Sequence, residues 1–250
     1  MAITARRQHD MSAKQPRSPA SRKTKRTGDA PAEGQPTSGQ QKKVRQIRPK
    51  AERRRELIQA TIRCIAKYGL SATTVQLVTR EAGLSLGIAN LHFQSKENLL
   101  RATLESVMAE YHEGQVEILE GDADASPAAQ LAALVEFQFS ARVTNREKMA
   151  VWFAFYGEAS AMPIYQKICS RMDQMAATKL EQVLGELIRE GGYRHLEPKT
   201  LATGYLALVD GLWLSLLVMP KSLTKRAAKA IAMDYLLQAF PQHRRVLSGG

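Results

Sequence analysis

Two cysteines, Cys64 and Cys169, are all that the 250 residues contain, and both lie in apolar, helix-patterned surroundings. That excludes a disulfide framework and a cysteine-rich zinc site. The five histidines, at positions 9, 92, 112, 195 and 243, are scattered. No nucleophile elbow, paired metal ligands or phosphate-cradling glycine loop accompanies them. An enzyme is therefore not expected, and no catalytic residue, metal or cofactor is assigned. Long apolar runs are scarce as well. The N-terminus lacks the hydrophobic stretch of a secretory signal. The most hydrophobic segment, 205–219, spans ~15 residues with Asp210 inside it, short of the ~20 needed to cross a bilayer. A reduced, cytoplasmic protein that does not engage a membrane is the expectation.

What is present is unevenly distributed. Residues 1–50 carry 13 Lys and Arg against Asp10, Asp29 and Glu33, which accounts for +10 of the net charge of +12. Residues 51–101 add +4, and the remainder is close to neutral at −2. Residues 1–48 are rich in Lys, Arg, Ser, Pro, Gly and Gln, with Ile3, Val44 and Ile47 isolated among them. Such a segment cannot bury enough surface to offset its ordering entropy, so it reads as a disordered basic arm. The arm either adds phosphate contacts to a neighbouring nucleic-acid module or is a solvated tail.

From residue 49 onward every periodic segment is helical, and the chain reads as all-α. A first helix over 49–68 places Leu57, Ile58, Ile62, Ile65 and Ala66 at helical spacing, with Arg53, Arg54 and Arg55 in its first turns and Gly69 as its stop. Arginines there oppose the helix dipole and gain a rationale if phosphates lie nearby; a solvated charge run is the plainer alternative. Thr73 is expected to cap a second helix, 74–82, with Val75, Leu77 and Val78 inward and Gly83 supplying a left-handed turn. Ser85 caps a third, 86–92. Ala89 and Phe93 face the first two helices. Leu86, Ile88, Asn90, Leu91 and His92 are left outward, and Gly87 allows close backbone approach.

The run 69–100, with Thr74-Val75, Ala82-Gly83-Leu84-Ser85, Gly87, His92-Phe93 and Lys96-Glu97 in register, resembles the DNA-binding signature of the TetR family of repressors. The resemblance implies that the third helix enters the major groove and that Lys96 contacts a phosphate. It departs from the commonest pattern at Asn90, where an aromatic is usual, and at Leu86, where a polar residue often sits. Asn90 can pair with an adenine edge, His92 can reach a base or phosphate, and Leu86, Ile88 and Leu91 can pack on thymine methyls. An exposed apolar face for a protein contact is the competing explanation. The DNA-binding set is thus Thr73, Thr74, Ser85, Leu86, Gly87, Ile88, Asn90, Leu91, His92 and Lys96.

Six further helices are expected: 96–119, 127–143, 146–160, one after Pro163 ending at Gly191-Gly192, 198–220 and 224–240. The acidic stretch 121–126 is read as a loop. The fourth helix buries Leu99, Leu100, Thr103, Leu104, Val107, Met108 and Tyr111 and is long enough to join two domains. The seventh alternates Ile164, Ile168, Met172, Met175, Leu180, Leu184 and Leu187 with charged positions. The sixth carries the densest aromatic cluster of a chain only 6% aromatic. There Trp152, Phe155 and Tyr156 share a face by the i, i+3, i+4 rule. The eighth is apolar nearly all round except for Asp210, with Trp213 one turn on. A carboxylate there is costly unless its charge is answered. Met108, Trp152, Phe155, Tyr156, Asp210 and Trp213 could enclose a quaternary ammonium, which ring faces and a carboxylate hold without N–H donors. Aromatics at helical spacing are also ordinary core, and the Asp could cap or pair with an Arg. The Trp-x-x-Phe segment, the Asp210-Gly211-Leu212-Trp213-Leu214 run, Gly87-Ile88 and Gln94 resemble the choline-sensing branch of the TetR family.

The organisation expected is therefore a basic arm (1–48), a three-helix helix-turn-helix domain (49–95) and a helical effector-binding and dimerisation domain (96–243). A homodimer through the last two helices would bind a palindromic double-stranded DNA operator. Choline or a related quaternary ammonium compound would release it, in control of glycine betaine synthesis. The alternatives are a TetR-type regulator of another small-molecule or efflux pathway with an apolar effector, and a nonspecific DNA-compacting protein driven by the basic arm.

Overall fold

A computed structural model describes residues 49–120 and 125–248. The basic arm expected over 1–48 and most of the acidic loop fall outside these residues. Among the described residues there is no strand. Ten α-helices follow one another: α1 (Lys50–Tyr68), α2 (Val75–Ala82), α3 (Leu86–Phe93), α4 (Lys96–Glu120), α5 (Pro127–Gln138), α6 (Arg146–Ala159), α7 (Pro163–Gly191), α8 (Pro198–Val218), α9 (Lys225–Ala239) and, after a 3-10 turn at Pro241–His243, α10 (Arg244–Leu247).

Local chemistry sets most of the boundaries. α1 buries Leu57, Ile58, Ile62 and Ile65 and stops at Gly69, whose φ of 81° suits a residue without Cβ. α2 ends at Gly83 in the left-handed region, and the Leu84 N–H then bonds back to the Thr79 carbonyl at 2.9 Å. The cap of α2 is Thr74, not Thr73: the Leu77 N–H donates to Thr74 Oγ1 at 3.2 Å. The Thr73 hydroxyl is buried and donates to the Gly69 carbonyl at 2.7 Å. It holds the turn between α1 and α2. Ser85 caps α3 as read, accepting from the Ile88 N–H.

α5 stops at Gln138, five residues before the expected end. There the Trp213 indole N–H donates to the Gln138 carbonyl at 3.0 Å, giving one of the terminal carbonyls a partner from another helix. The chain then turns through 139–145. Thr144 closes that turn by donating to the Ser140 carbonyl at 2.8 Å, and Asn145 caps α6 by accepting from the Glu147 and Lys148 N–H groups. In α7 the buried stripe runs through Tyr165, Cys169, Ala176, Leu180, Val183, Leu184 and Leu187. Ile164 and Met175, expected in that stripe, are exposed. α10 went unread in the sequence. It is too short for a periodic signal, yet its Leu247 is buried and it packs on α5.

α1 lies against α2, α3, α4 and α6, so both α4 and α6 connect the N-terminal helices to the rest. α8 packs on α7, α6 and α9. At 21 residues α8 is long and apolar enough, by length and composition, to cross a bilayer. Its inner face is instead built into a protein core, where Tyr205 is fully buried and donates to Gln138 Oε1 at 2.5 Å.

Candidate functional site

The N-terminal helices present α3 on an open surface. Ala89 and Phe93 are buried, and Gly87 and Asn90 are exposed with Leu86 and Leu91, the last two 44% and 66% exposed. Ile88 departs from the expectation: it is half-buried and packs against the core, which turns it from a reading position into a support for the helix. Thr74 is exposed at the start of α2, whereas Thr73 is buried beneath it.

The basic start of α1 meets α3. The Arg54 guanidinium stands 5.4 Å from the centroid of the Phe93 ring, a cation–π contact that orients it despite the adverse helix dipole. Beside it, His92 has its pKa lowered, first by desolvation and then by the charges of Lys50, Arg53 and Arg54. That shift favours the neutral imidazole, in which one ring nitrogen can accept a hydrogen bond. Lys96, at the head of α4, donates to the Ser71 carbonyl at 3.2 Å. Gln94, between α3 and α4, holds a φ of 65°, unusual for a side-chain-bearing residue. Nothing in the local residue pattern signals that bend.

The second site is aromatic. Trp152 of α6 and Trp213 of α8 meet edge to face at 5.8 Å between centroids. Tyr111 of α4 meets both, at 5.4 and 5.3 Å, again edge to face. Tyr156 stacks on Trp152 at 6.0 Å. Helical spacing places Tyr111 in the core, and the structure makes it the centre of the group. Its hydroxyl accepts from Gln138 Nε2 at 3.0 Å. Gln138 therefore serves Tyr111, Tyr205 and Trp213 together and sets the spacing of α4, α5 and α8. Phe155 does not join them. It is fully buried and pairs with Tyr165 at 4.8 Å, because adjacent positions on a helix diverge by ~100° and α7 claims that side. Met108, almost fully buried, is likewise absent from the lining of the crevice beside the rings.

That crevice is lined by Val107, Tyr111, Met149, Trp152, Phe153 and Trp213 and leaves a cavity of about 20 Å³, room for roughly one water molecule. Glu110, Arg142 and Lys148 also border it. They pair among themselves, Lys148 Nζ lying 2.6 Å from Glu110 Oε1, and Arg142 also reaches Glu117 at 3.1 Å. Trp152 Nε1 is buried without an acceptor.

Asp210, half-buried one turn before Trp213, has no hydrogen bond or ion pair among the described residues. Desolvation, and secondarily the charge of Asp173, pushes its pKa from 3.8 to about 7. Asp173 of α7 is a residue the sequence did not single out. Its carboxylate accepts from the Tyr156 hydroxyl at 2.7 Å. Both tyrosines are pushed upward, Tyr111 and Tyr156 alike, mainly by burial and further by the two carboxylates. The arrangement is ring faces, phenol edges and negative charge, and the two cations at the border of the crevice, Arg142 and Lys148, are held in ion pairs with Glu117 and Glu110.

Residues 57–103 match the tetR family of bacterial regulatory proteins, and residues 127–241 match the C-terminal domain of BetI-type transcriptional repressors. The HTH-type transcriptional regulator BetI of Klebsiella pneumoniae (strain 342) is 31% identical over 193 residues, covering 76% of this chain and 94% of that protein. The chain belongs to the TetR family. As a TetR-family regulator with a BetI-type C-terminal domain, it also shares its fold with solved structures. A transcriptional regulator from Pseudomonas aeruginosa PAO1 aligns over 81% of this chain and 98% of its own, with a TM-score of 0.69 and 26% identity. One from Saccharomonospora viridis, solved in complex with choline, covers 74% of this chain and 96% of its own, with a TM-score of 0.66 and 22% identity. That last likeness is one of TetR fold.

Proposed function

We propose that the protein is a dimeric repressor released from its operator by a small quaternary ammonium compound of the choline type. The reading rests on one observation above all. In a chain with a BetI-type C-terminal domain, the rings of Tyr111, Trp152, Tyr156 and Trp213 pack together, and one turn before Trp213 stands Asp210, a carboxylate with no hydrogen bond or ion pair among the described residues. Ring faces and a carboxylate bind a cation that offers no N–H donor, and such contacts gain strength when desolvated, up to about 2 kcal/mol each.

In this account residues 49–95 form the reading head and residues 96 onward the regulatory part. Asn90, Leu91, Leu86 and His92 face the major groove, with Ser85, Gly87, Thr74 and Lys96 placing the backbone and phosphates. The dimer forms through α8 and α9, whose outward Leu214, Val218 and Ile231 are exposed in the single chain, and a palindromic operator follows from that symmetry. The 20 Å³ cavity has to widen to admit an effector. Widening separates Tyr111 from Trp213 and so displaces α4, which carries Lys96 at its N-terminal end roughly 22 Å from Tyr111. Ligand binding therefore favours a state with altered head spacing, which is the differential affinity that control requires.

The test is a gel-shift and calorimetric screen with choline, betaine aldehyde, glycine betaine and the uncharged isostere 3,3-dimethylbutanol. Heat of binding and operator release with the cations alone supports the reading. An equal response to the uncharged isostere favours a second one, an apolar effector from another small-molecule or efflux pathway, to which the apolar lining by Val107, Met149 and Phe153 is suited.

A further inference from the structure

The polar tips of the four clustered rings are not alike, and three of them already have partners inside the protein. The Trp213 indole N–H donates to the Gln138 carbonyl at 3.0 Å. The Tyr111 hydroxyl accepts from Gln138 Nε2 at 3.0 Å, and the Tyr156 hydroxyl donates to the Asp173 carboxylate at 2.7 Å. The fourth tip, Trp152 Nε1, is buried and has no hydrogen-bond partner among the described residues. Trp152 is only 8% exposed, and it forms part of the wall of the crevice. Its neighbours meet it with rings, Tyr111 and Trp213 edge to face and Tyr156 stacked, and a ring face is a weak substitute for an oxygen acceptor. A buried donor left in this state is costly and uncommon in a folded interior, so it calls for a reason.

An indole N–H donates and never accepts. What completes it is an acceptor atom, and the cavity of about 20 Å³ beside it has room for one group of that size. That acceptor is a neutral oxygen. A carboxylate needs several donors or a free cation, and the two cations bordering the crevice are engaged, Lys148 by Glu110 and the Arg142 carbonyl, and Arg142 by Glu117. Val107, Met149 and Phe153, also in the wall, offer no second side-chain donor. One uncharged donor in apolar surroundings matches the single oxygen of an alcohol or an aldehyde.

We propose that Trp152 is the specificity residue that reads the effector's oxygen: its indole N–H donates to a neutral hydroxyl or carbonyl oxygen on the quaternary ammonium compound, while the ring faces hold the ammonium end. This rests on the effector reading above. The two tryptophans then differ in role although they touch. Trp213 commits its N–H to Gln138 and contributes its ring alone, whereas Trp152 contributes both ring and donor. Size and charge alone therefore do not define the effector. A cation of the same shape in which a methyl replaces the hydroxyl leaves the donor unmatched, and it is expected to bind about three- to tenfold more weakly, the usual net effect of one hydrogen bond.

The experiment compares choline with propyltrimethylammonium, the same cation with a methyl in place of the hydroxyl, by calorimetric titration of the full chain, of Trp152→Phe and of Trp213→Phe. The parent is expected to prefer choline about three- to tenfold. Trp152→Phe should bind both cations more weakly and lose the preference, and Trp213→Phe should weaken both and keep it. A second readout needs no Trp152 variant. The chain has two tryptophans, so isotope-labelled tryptophan gives two indole N–H resonances, assigned with Trp213→Phe. Saturating choline should move the Trp152 resonance downfield of its position with saturating propyltrimethylammonium, as an N–H moves on gaining an oxygen acceptor. A purely structural part for Trp152 would weaken both cations equally in Trp152→Phe with the preference for choline retained, and that result overturns the assignment. Equal affinities of the parent for the two cations, with the Trp152 resonance at the same position in both complexes, overturn the oxygen reading and leave a cationic effector intact. Binding of neither cation overturns both.

Discussion

Replacing Asp210 with Asn is expected to stabilise the unliganded protein at alkaline pH and to do little at acid pH. The carboxyl of Asp210 has its pKa raised from 3.8 to about 7 in the folded chain, so between those values the folded state binds more protons than the unfolded one. Stability then falls as pH rises through that window, and the loss is complete above about 7. At about 1.4 kcal/mol per unit of pKa the ceiling is near 4 kcal/mol. Asp210 is only half-buried, and solvent screening brings the expectation down to about 1–3 kcal/mol. Asparagine has a similar shape and no charge to desolvate, so it escapes that cost at every pH. At roughly 2–4 °C per kcal/mol for a chain of this size, the variant should melt about 3–10 °C above the parent at pH 8 and within about 2 °C of it at pH 4.5. Thermal melts followed by circular dichroism at the two pH values measure this directly. A variant that is less stable than the parent at pH 8, or that gains equally at both, would refute the idea that Asp210 is an uncompensated charge.

The DNA head allows two separable tests. Thr74→Ala removes the cap of α2 and should cost about 1 kcal/mol in urea unfolding; no loss would mean that the Leu77 N–H finds another acceptor. Asn90→Ala with Leu91→Ala, both exposed, should leave stability within about 0.5 kcal/mol. The same pair should reduce operator preference over random DNA at least tenfold, and equal weakening on both DNAs would show that α3 does not read bases. Val218, 61% exposed on α8, becomes costly to pair when changed to Asp, so Val218→Asp should sediment as a monomer. A variant that remains dimeric would place the interface elsewhere.

Where local chemistry decides, the sequence was readable. Gly83 and Ser85 do in the structure what their residue types require, since a left-handed turn and an N-cap each need only a few neighbouring atoms. Adjacent threonines defeated the same reasoning at Thr73 and Thr74. Either hydroxyl can cap, and the tight turn from Gly69 decides which one points inward. The end of α5 carries no local stop signal, and the partner of its last carbonyl, Trp213, lies 75 residues away. Helical spacing put Trp152, Phe155 and Tyr156 on one broad face. Only the packing of Tyr165 shows that Phe155 turns away from the other two. Asp173 gave no pattern at all, since its importance comes from a tyrosine on another helix. Tyr111 was placed correctly inside, but burial alone could not reveal that it touches both tryptophans.

The central claim, that a cation among these rings decides when DNA is held, is tested most directly by operator release. Full-length protein is bound to fluorescently labelled DNA from the region flanking its own gene and titrated with choline or with 3,3-dimethylbutanol, using the parent chain and Trp213→Ala. Choline is expected to lower the affinity of the parent for that DNA by at least tenfold, with 3,3-dimethylbutanol inert and Trp213→Ala unresponsive. Release by both compounds alike, or by choline from Trp213→Ala as readily as from the parent, would contradict the account.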